Sequence, residues 1–85
     1  MAEELTDQQR AILDFEADWR RHAGAKEEAI RSQLGLTPAR YYQLLGRLID
    51  TAEALAHDPL LVGRLRRIRD QRAAERAARE RAVTR

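Results

Sequence analysis

The sequence has no cysteine, two prolines, four glycines and only four aromatic residues among 85 positions. The missing cysteine excludes disulfides and thiolate metal sites. Alternating strand patterns and long β-branched runs are also missing, and no apolar run approaches the ~20 residues that a membrane span needs. The acidic, polar start MAEELTDQQR predicts no signal peptide. What remains, mostly Ala, Leu and Ile as apolar residues, predicts one all-α domain in the cytoplasm, without membrane contact.

The first predicted helix has both a start signal and an apolar stripe. It begins after Thr6, which forms a capping box with Gln9 three residues later. It ends near His22, before the break at Gly24. The stripe that predicts its core face consists of Ile12, Phe15 and Trp19.

The next two predicted helices are joined by a short turn. The first of them runs from Ala25 or Lys26 to Leu34 and ends at Gly35. The second starts with Thr37 as N-cap and a proline in the first helical position, both favoured there. The positions of this helix that the apolar pattern predicts to be buried are Tyr41, Leu44, Leu45 and Leu48.

Two further helices complete the prediction. Asp50 and Glu53 form a second capping box that opens a short helix over residues 51–56. Asp58 caps the last helix, with Pro59 in its first position. The apolar residues predicted to anchor that helix are Leu60, Leu61, Leu65 and Ile68.

The pair of helices around Gly35 fits a helix-turn-helix motif over about residues 26–49. Arg31 departs from the pattern, which prefers a small residue there, so its side chain must point outward. Gly46 either allows close approach of a partner or makes room for the first helix. Arg and Gln are the side chains that read guanine and adenine edges in the major groove. The residues of the second helix predicted to contact DNA are Thr37, Arg40, Tyr42, Gln43 and Arg47.

The C-terminal part of the chain is basic. Residues 1–25 contain six acids and three arginines, whereas residues 51–85 contain five acids and nine arginines. Eight arginines face only three acids between Arg64 and Arg81, so intrahelical pairing cannot neutralise them. Arg69, Arg72, Arg76 and Arg79 recur at spacings of three and four residues, so they form a stripe that can contact phosphates. The arginines predicted to do so are Arg64, Arg67, Arg69, Arg72, Arg76 and Arg79, with Arg66 beside them.

Residues 1–68 therefore form the predicted helix-turn-helix domain. Residues 69–85 form a partly frayed, Arg/Ala-rich helix that projects from the core, because almost nothing in them can be buried. His22, His57 and the single serine form no nucleophile–base pair, and His57 is read as a loop residue. No enzyme activity, cofactor or metal site is expected.

Three segments carry a resemblance to a known family: AGAKEEAIRSQLGL, ARYYQLLGRLIDTAEAL and HDPLLVGRLRRIRDQR. The chain resembles, from about Leu5 to Arg72, a family of short actinobacterial proteins catalogued as a domain of unknown function. Members look like single helix-turn-helix domains with an Arg-rich tail. The resemblance implies a fold but supplies no catalytic residue and no known operator.

The sequence predicts a protein that binds double-stranded DNA in the nucleoid, as a small transcriptional regulator or nucleoid-associated protein. The alternative is an interaction module without direct DNA contact, which binds a sigma factor, RNA polymerase or itself through the alanines of the last helix. A third reading, an antitoxin with a DNA-binding head and a toxin-binding tail, combines both. The oligomeric state stays open, a homodimer included.

Overall fold

The computed structural model describes residues 4–19 and 25–83. Within these ranges the chain forms five α-helices and no strand, which confirms the all-α prediction. The predicted end of the first helix, at His22 and Gly24, lies outside the described residues. The elements are, in chain order, α1 (Asp7–Trp19), α2 (Lys26–Ala29) continued by a π-helical turn (Ile30–Leu34), α3 (Pro38–Leu48), α4 (Ala52–His57) and α5 (Pro59–Val83).

Side-chain caps start three of these helices as predicted. Thr6 Oγ1 accepts from the Gln9 backbone N–H at 3.1 Å, and Gln9 Oε1 accepts from the Thr6 N–H at 2.8 Å. Thr37 Oγ1 accepts from the N–H three residues later at 3.1 Å, and an Asp58 carboxylate oxygen does the same at 3.2 Å. Each cap satisfies an N–H that has no partner inside the helix.

The second predicted capping box is wrong. Thr51, not Asp50, is the N-cap of α4, because Thr51 has the extended backbone of a cap residue and its Oγ1 accepts from Ala54 N at 3.1 Å. Asp50 lies one residue too early, in the turn after α3. Its carboxylate instead accepts from Arg69 Nη1 at 2.6 Å and so ties that turn to α5.

The turn between α2 and α3 depends on Gly35. This residue has φ 67°, a left-handed conformation that costs a residue with a Cβ about 1 kcal/mol or more. The preceding turn over residues 30–34 is π-helical, and π-helical turns are rare, wider insertions in helices. Arg31 lies in this wide turn with its side chain in solvent, 4.0 Å from Glu28. The outward position predicted for Arg31 is confirmed.

One apolar core joins the helices. Phe15 and Tyr41 meet there with their rings edge to face, 5.6 Å apart, and the half-buried Trp19 stacks on Phe15 at 5.5 Å. Leu5 packs on the core from just before the Thr6 cap, as a hydrophobic staple does. The buried residues are Ile12, Leu13, Phe15, Ala29, Ile30, Tyr41, Leu45, Leu48, Ile49, Ala54, Leu61 and Val62.

At the start of α5, the residues that face the core differ from those predicted. Leu61 and Val62 are buried, with Leu65 and Ile68 half-buried beside them. Leu60, predicted as an anchor, is 84 % exposed. Successive helical residues point about 100° apart, so Leu60 lies on the far side of the face shared by the other four.

Beyond Ile68, α5 leaves the core and continues to Val83. Every residue from 69 to 83 is exposed except the half-buried Ala77. The radius of gyration is 15.0 Å, against roughly 12 Å for a compact domain of this length. The projecting helix is therefore confirmed, and residues 69–83 are called the extension and the other described residues the body. Among the described residues no helix is both long and apolar enough to cross a bilayer.

Candidate nucleic-acid interface

α3 separates its side chains into two sets as the sequence predicts. Tyr41, Leu45 and Leu48 are buried, while Leu44 is half-buried on the flank. The predicted contact residues all lie in solvent: Thr37, Arg40, Tyr42, Gln43 and Arg47. The side chains of Arg40 and Gln43 are coupled, because Arg40 Nη1 donates to Gln43 Oε1 at 2.6 Å. The outward face of α3 therefore presents polar groups of which two are already oriented by each other.

The adjacent tyrosines have opposite surroundings. Tyr41 is 0 % exposed, whereas Tyr42 is 46 % exposed. Tyr41 OH donates to Glu16 Oε1 at 2.5 Å, and Lys26 Nζ lies 2.8 Å from the same oxygen. Lys26 Nζ also lies 5.2 Å from the ring centroid of Tyr42. This group of side chains joins α1, α2 and α3 and fixes the α3 face from behind.

Two pKa values in this group are raised. Burial raises the pKa of Tyr41 above its usual range, and the neighbouring Glu16 carboxylate raises it further. Burial lowers the pKa of Lys26, but its hydrogen bond and attraction to Glu16 outweigh this, so that the pKa of Lys26 is raised. Tyr41 is thus held neutral and Lys26 is held charged.

Gly46 lies on the exposed side of α3. A Cβ built at this position meets no atom within 4 Å. Of the two alternatives for Gly46, the one in which it makes room for the first helix is therefore wrong, because a Cβ here would meet no atom of that helix. The space above Gly46 is open to a partner, and glycine lets that partner come close to the α3 backbone.

The predicted arginines of α5 fall into three groups. Arg72, Arg76 and Arg79 are exposed and form no ion pair with any described residue. Arg69 is bound by two carboxylates, Asp50 at 2.6 Å and Asp70 at 3.2 Å. The remaining two are the half-buried Arg64 and the exposed Arg67. The extension therefore carries an unpaired row at one turn's distance from the body.

Arg66 has a structural contact that the sequence did not reveal. Its Nε donates to the carbonyl oxygen of Ile49 at 2.5 Å, and its Nη2 to that of Thr51 at 3.5 Å. The Ile49 carbonyl follows the end of α3, where no helical N–H is left for it, whereas the Thr51 carbonyl also accepts from the Leu55 N–H of α4 at 3.3 Å. Nothing in the local sequence separates Arg66 from its neighbours, since the contact depends on how α5 crosses the α3–α4 turn.

A groove of about 630 Å³ runs between α3 and α5. Tyr42 and Gly46 border it from α3, and Arg72 and Arg76 border it from α5. A second depression lies on the other flank of α3, where Arg47 and Leu44 face the start of α1. α3 therefore stands as a ridge between two depressions, and one of these is shared with the arginines of the extension.

His57 is the last residue of α4 and not a loop residue. Its Nε2 lies 2.9 Å from Asp14 Oδ1, which connects α4 to α1 at the surface. No group of three His, Asp or Glu side chains suited to a metal ion occurs within the described ranges. Asp14 and His57 therefore act as a pair that positions the two helices.

The comparisons with known proteins give a family. Residues 4–77 match the model of a family described as "Protein of unknown function (DUF3263)". Neither the curated proteins nor the solved structures gave a match. The match covers the body and the first two turns of the extension, with Arg72 and Arg76 included.

Proposed function

The chain belongs to that family of proteins of unknown function, and we propose that it binds double-stranded DNA. In this proposal α3 enters the major groove and the unpaired arginines of α5 contact phosphates. Residues 26–49 act as a helix-turn-helix, with α2 and its π-helical turn as the first helix and α3 as the recognition helix. Small transcriptional regulators and nucleoid-associated proteins bind DNA in this way.

The position of α3 between two depressions is the observation that carries the proposal. A helix that reads bases must protrude so that the groove edges can pass on both sides. One of the two flanks is bordered by Arg72 and Arg76. Both basic surfaces therefore lie on contiguous parts of the molecule, where a single duplex can touch them together.

The chemistry of the α3 face supports base contact. Arg47 and the coupled Arg40 and Gln43 are exposed on successive turns of the helix. Arginine donates to two acceptors of guanine, and glutamine pairs with adenine through one donor and one acceptor. Arg40 and Gln43 are held together before binding, which lowers the entropy lost when they meet a base. Tyr42 on the flank can donate its hydroxyl hydrogen to a phosphate oxygen.

The extension supports phosphate contact. Arg72, Arg76 and Arg79 have no carboxylate partner in the described chain, so their charge is available. Each phosphate neutralised by an arginine releases counterions and makes affinity fall with salt. This contribution to affinity does not depend on the base sequence. It adds to the base contacts proposed for the exposed face of α3.

The test compares three single substitutions that remove the same charge. Arg47→Ala removes a predicted base contact, Arg72→Ala a predicted phosphate contact, and Arg31→Ala an exposed arginine away from the groove. Fluorescence anisotropy of a labelled duplex library, selected on the wild-type protein, gives the affinity over a range of salt concentrations. A thermal melt of each variant verifies that it is folded.

We expect Arg47→Ala to cost about 1–3 kcal/mol on selected duplexes and less on random ones. Arg72→Ala weakens binding to all duplexes and lowers the slope of log affinity against log salt by about one. Arg31→Ala changes both quantities much less. Absence of duplex binding at low salt refutes the proposal, and equal losses in all three variants refute the assigned interface.

A further inference from the structure

The groove between α3 and α5 has an apolar floor. Leu65 and Ile68 of α5 are half-buried and leave apolar carbon open to solvent, and Leu45 and Ile49 close the floor below them. Gly46 adds no side chain to fill this space. Apolar carbon at the bottom of a concave surface, with a few polar groups around it, is typical of binding sites.

The charge along the groove is uneven. Glu16 lines it, but its carboxylate is already engaged by Lys26 and Tyr41. At the other end Arg72 and Arg76 have no ion-pair partner in the described chain. The groove is thus apolar near Leu65 and Ile68 and positive where α5 leaves the body, and it favours an occupant with apolar and acidic groups in the same order.

The dimensions of the groove suit a short helix. Leu65 and Arg76 are eleven residues apart on α5, a rise of roughly 16 Å or three helical turns. An amphipathic helix of that length places apolar side chains at i and i+4 on the floor, as in other helix-in-groove complexes. Tyr42 and the two arginines at the rim are residue types enriched among the strongest contacts of protein interfaces.

We propose that this groove is a docking site for a short amphipathic helix of a partner protein, with leucine-like side chains on one face and acidic residues at one end. The inference goes beyond DNA binding, because it depends on the apolar floor that a duplex does not fill. Since Arg72 and Arg76 serve both surfaces, the partner helix and DNA exclude each other there. This consequence rests on the proposed DNA binding: a bound partner covers two phosphate-contacting arginines and so weakens the DNA complex.

The test uses the full chain and designed peptides of about 14 residues, long enough for the groove. The probe is a fluorescein-labelled helical peptide with leucines on one face and glutamates toward one end. One control peptide keeps the leucines and has lysines in place of the glutamates. Another keeps the glutamates and has alanines in place of the leucines. Anisotropy titration in the absence of DNA gives each affinity, and saturable binding of the Leu/Glu peptide with both controls about tenfold weaker or more supports the proposal.

Substitutions in the groove test whether the peptide binds there. Ile68→Glu places a carboxylate on the floor and should weaken the Leu/Glu peptide about tenfold or more, whereas Ile68→Ala, the matched control, should weaken it less. The double variant Arg72→Glu, Arg76→Glu should exchange the preference and bind the Leu/Lys peptide better. Thermal melts verify that each variant is folded.

Any of three results overturns the docking site. These are an anisotropy titration with the Leu/Glu peptide that does not saturate, equal affinity for the acidic and basic peptides, and an affinity that Ile68→Glu leaves unchanged. A single-stranded oligonucleotide that binds with the same dependence on Ile68 also overturns it, because the groove would then be a nucleic-acid site. The duplex titrations are performed without peptide. Failure of the docking site and failure of DNA binding are therefore seen separately.

Discussion

Arginine side chains have different surroundings in the body and in the extension. Arg66 lies on the part of α5 that packs on the body, and its guanidinium donates to two backbone carbonyls. Arg72, six residues further, has no ion-pair partner in the described chain. Arg69 lies between them and is held by Asp50 of the body. Composition alone does not separate these three arginines, but their surroundings do: one stabilises the body, one ties the extension to it, and one is left without an ion pair.

The largest expected contrast concerns the adjacent tyrosines of α3. Tyr41→Ala removes a fully buried ring and its hydrogen bond to Glu16, and should lower the free energy of unfolding by about 3–5 kcal/mol. Tyr42→Ala removes a half-exposed ring and should cost less than about 1 kcal/mol. Urea unfolding followed by circular dichroism measures both. Similar losses in the two variants would show that the assigned register of α3 is wrong.

Arg66 and Arg72 give the next contrast, because they share a helix and a charge. Arg66→Ala leaves the Ile49 carbonyl without its donor and should cost about 1–3 kcal/mol of stability. Arg72→Ala should leave stability unchanged and lower duplex affinity. Arg66→Lys keeps the charge without the fork of donors, so it should recover only part of the loss. A fully stable Arg66→Ala variant would remove the distinction between body and extension arginines.

Local signals predicted much of the body. The caps at Thr6, Thr37 and Asp58 depend on a side chain and an N–H three residues away, so the sequence contains both partners. The opposite exposures of Tyr41 and Tyr42 likewise follow from a single helical period. These features could be predicted because no distant part of the chain takes part in them.

Features that depend on how α5 crosses the body could not be predicted. Leu60, Leu61 and Val62 are three consecutive apolar residues, so their spacing does not determine which of them faces the core. Asp50 has the residue type of an N-cap, but Arg69 occupies its carboxylate. The carbonyls bound by Arg66 and the groove beside Gly46 also arise between elements distant in sequence. For the candidate site, the exposure of Arg40 and Arg47 was predictable, whereas the groove that Tyr42 of α3 shares with the arginines of α5 was not.

A smaller effect follows from the raised pKa values behind α3. A group whose pKa is higher in the folded state stabilises fully below its unfolded pKa and loses that contribution as pH rises. The unfolded pKa values of Tyr and Lys are about 10 and 10.4, so Tyr41 and Lys26 make stability fall above about pH 10. The slope from one such group is at most about 1.4 kcal/mol per pH unit.

Urea midpoints measured between about pH 8 and pH 11 test this coupling. Tyr41→Phe should be less stable than the wild type at neutral pH, because it loses the bond to Glu16, but its stability should fall less steeply above pH 10. Tyr42→Phe, the matched control, should keep the steep fall. An identical alkaline slope in all three proteins would exclude Tyr41 as its origin.

The smallest expected effects come from two glycines and have opposite signs. Gly35→Ala places a Cβ in a left-handed turn and should destabilise the body by about 1 kcal/mol. Gly46→Ala adds a methyl group that meets nothing within 4 Å and improves helix propensity, so it should stabilise the body by about 0.5–1 kcal/mol.

Gly46 also lies beside the proposed DNA-binding surface, so its substitution tests stability and DNA binding together. If a duplex approaches the α3 backbone there, the added methyl group should weaken DNA binding while it raises the urea midpoint. Gains in stability that reduce function are typical of binding sites that use a locally unfavourable residue. Anisotropy with the selected duplex, beside the urea titration, measures both quantities on one sample. A Gly46→Ala variant that is more stable and binds DNA as tightly as the wild type would place the DNA contact away from this part of α3, toward Arg40 and Gln43.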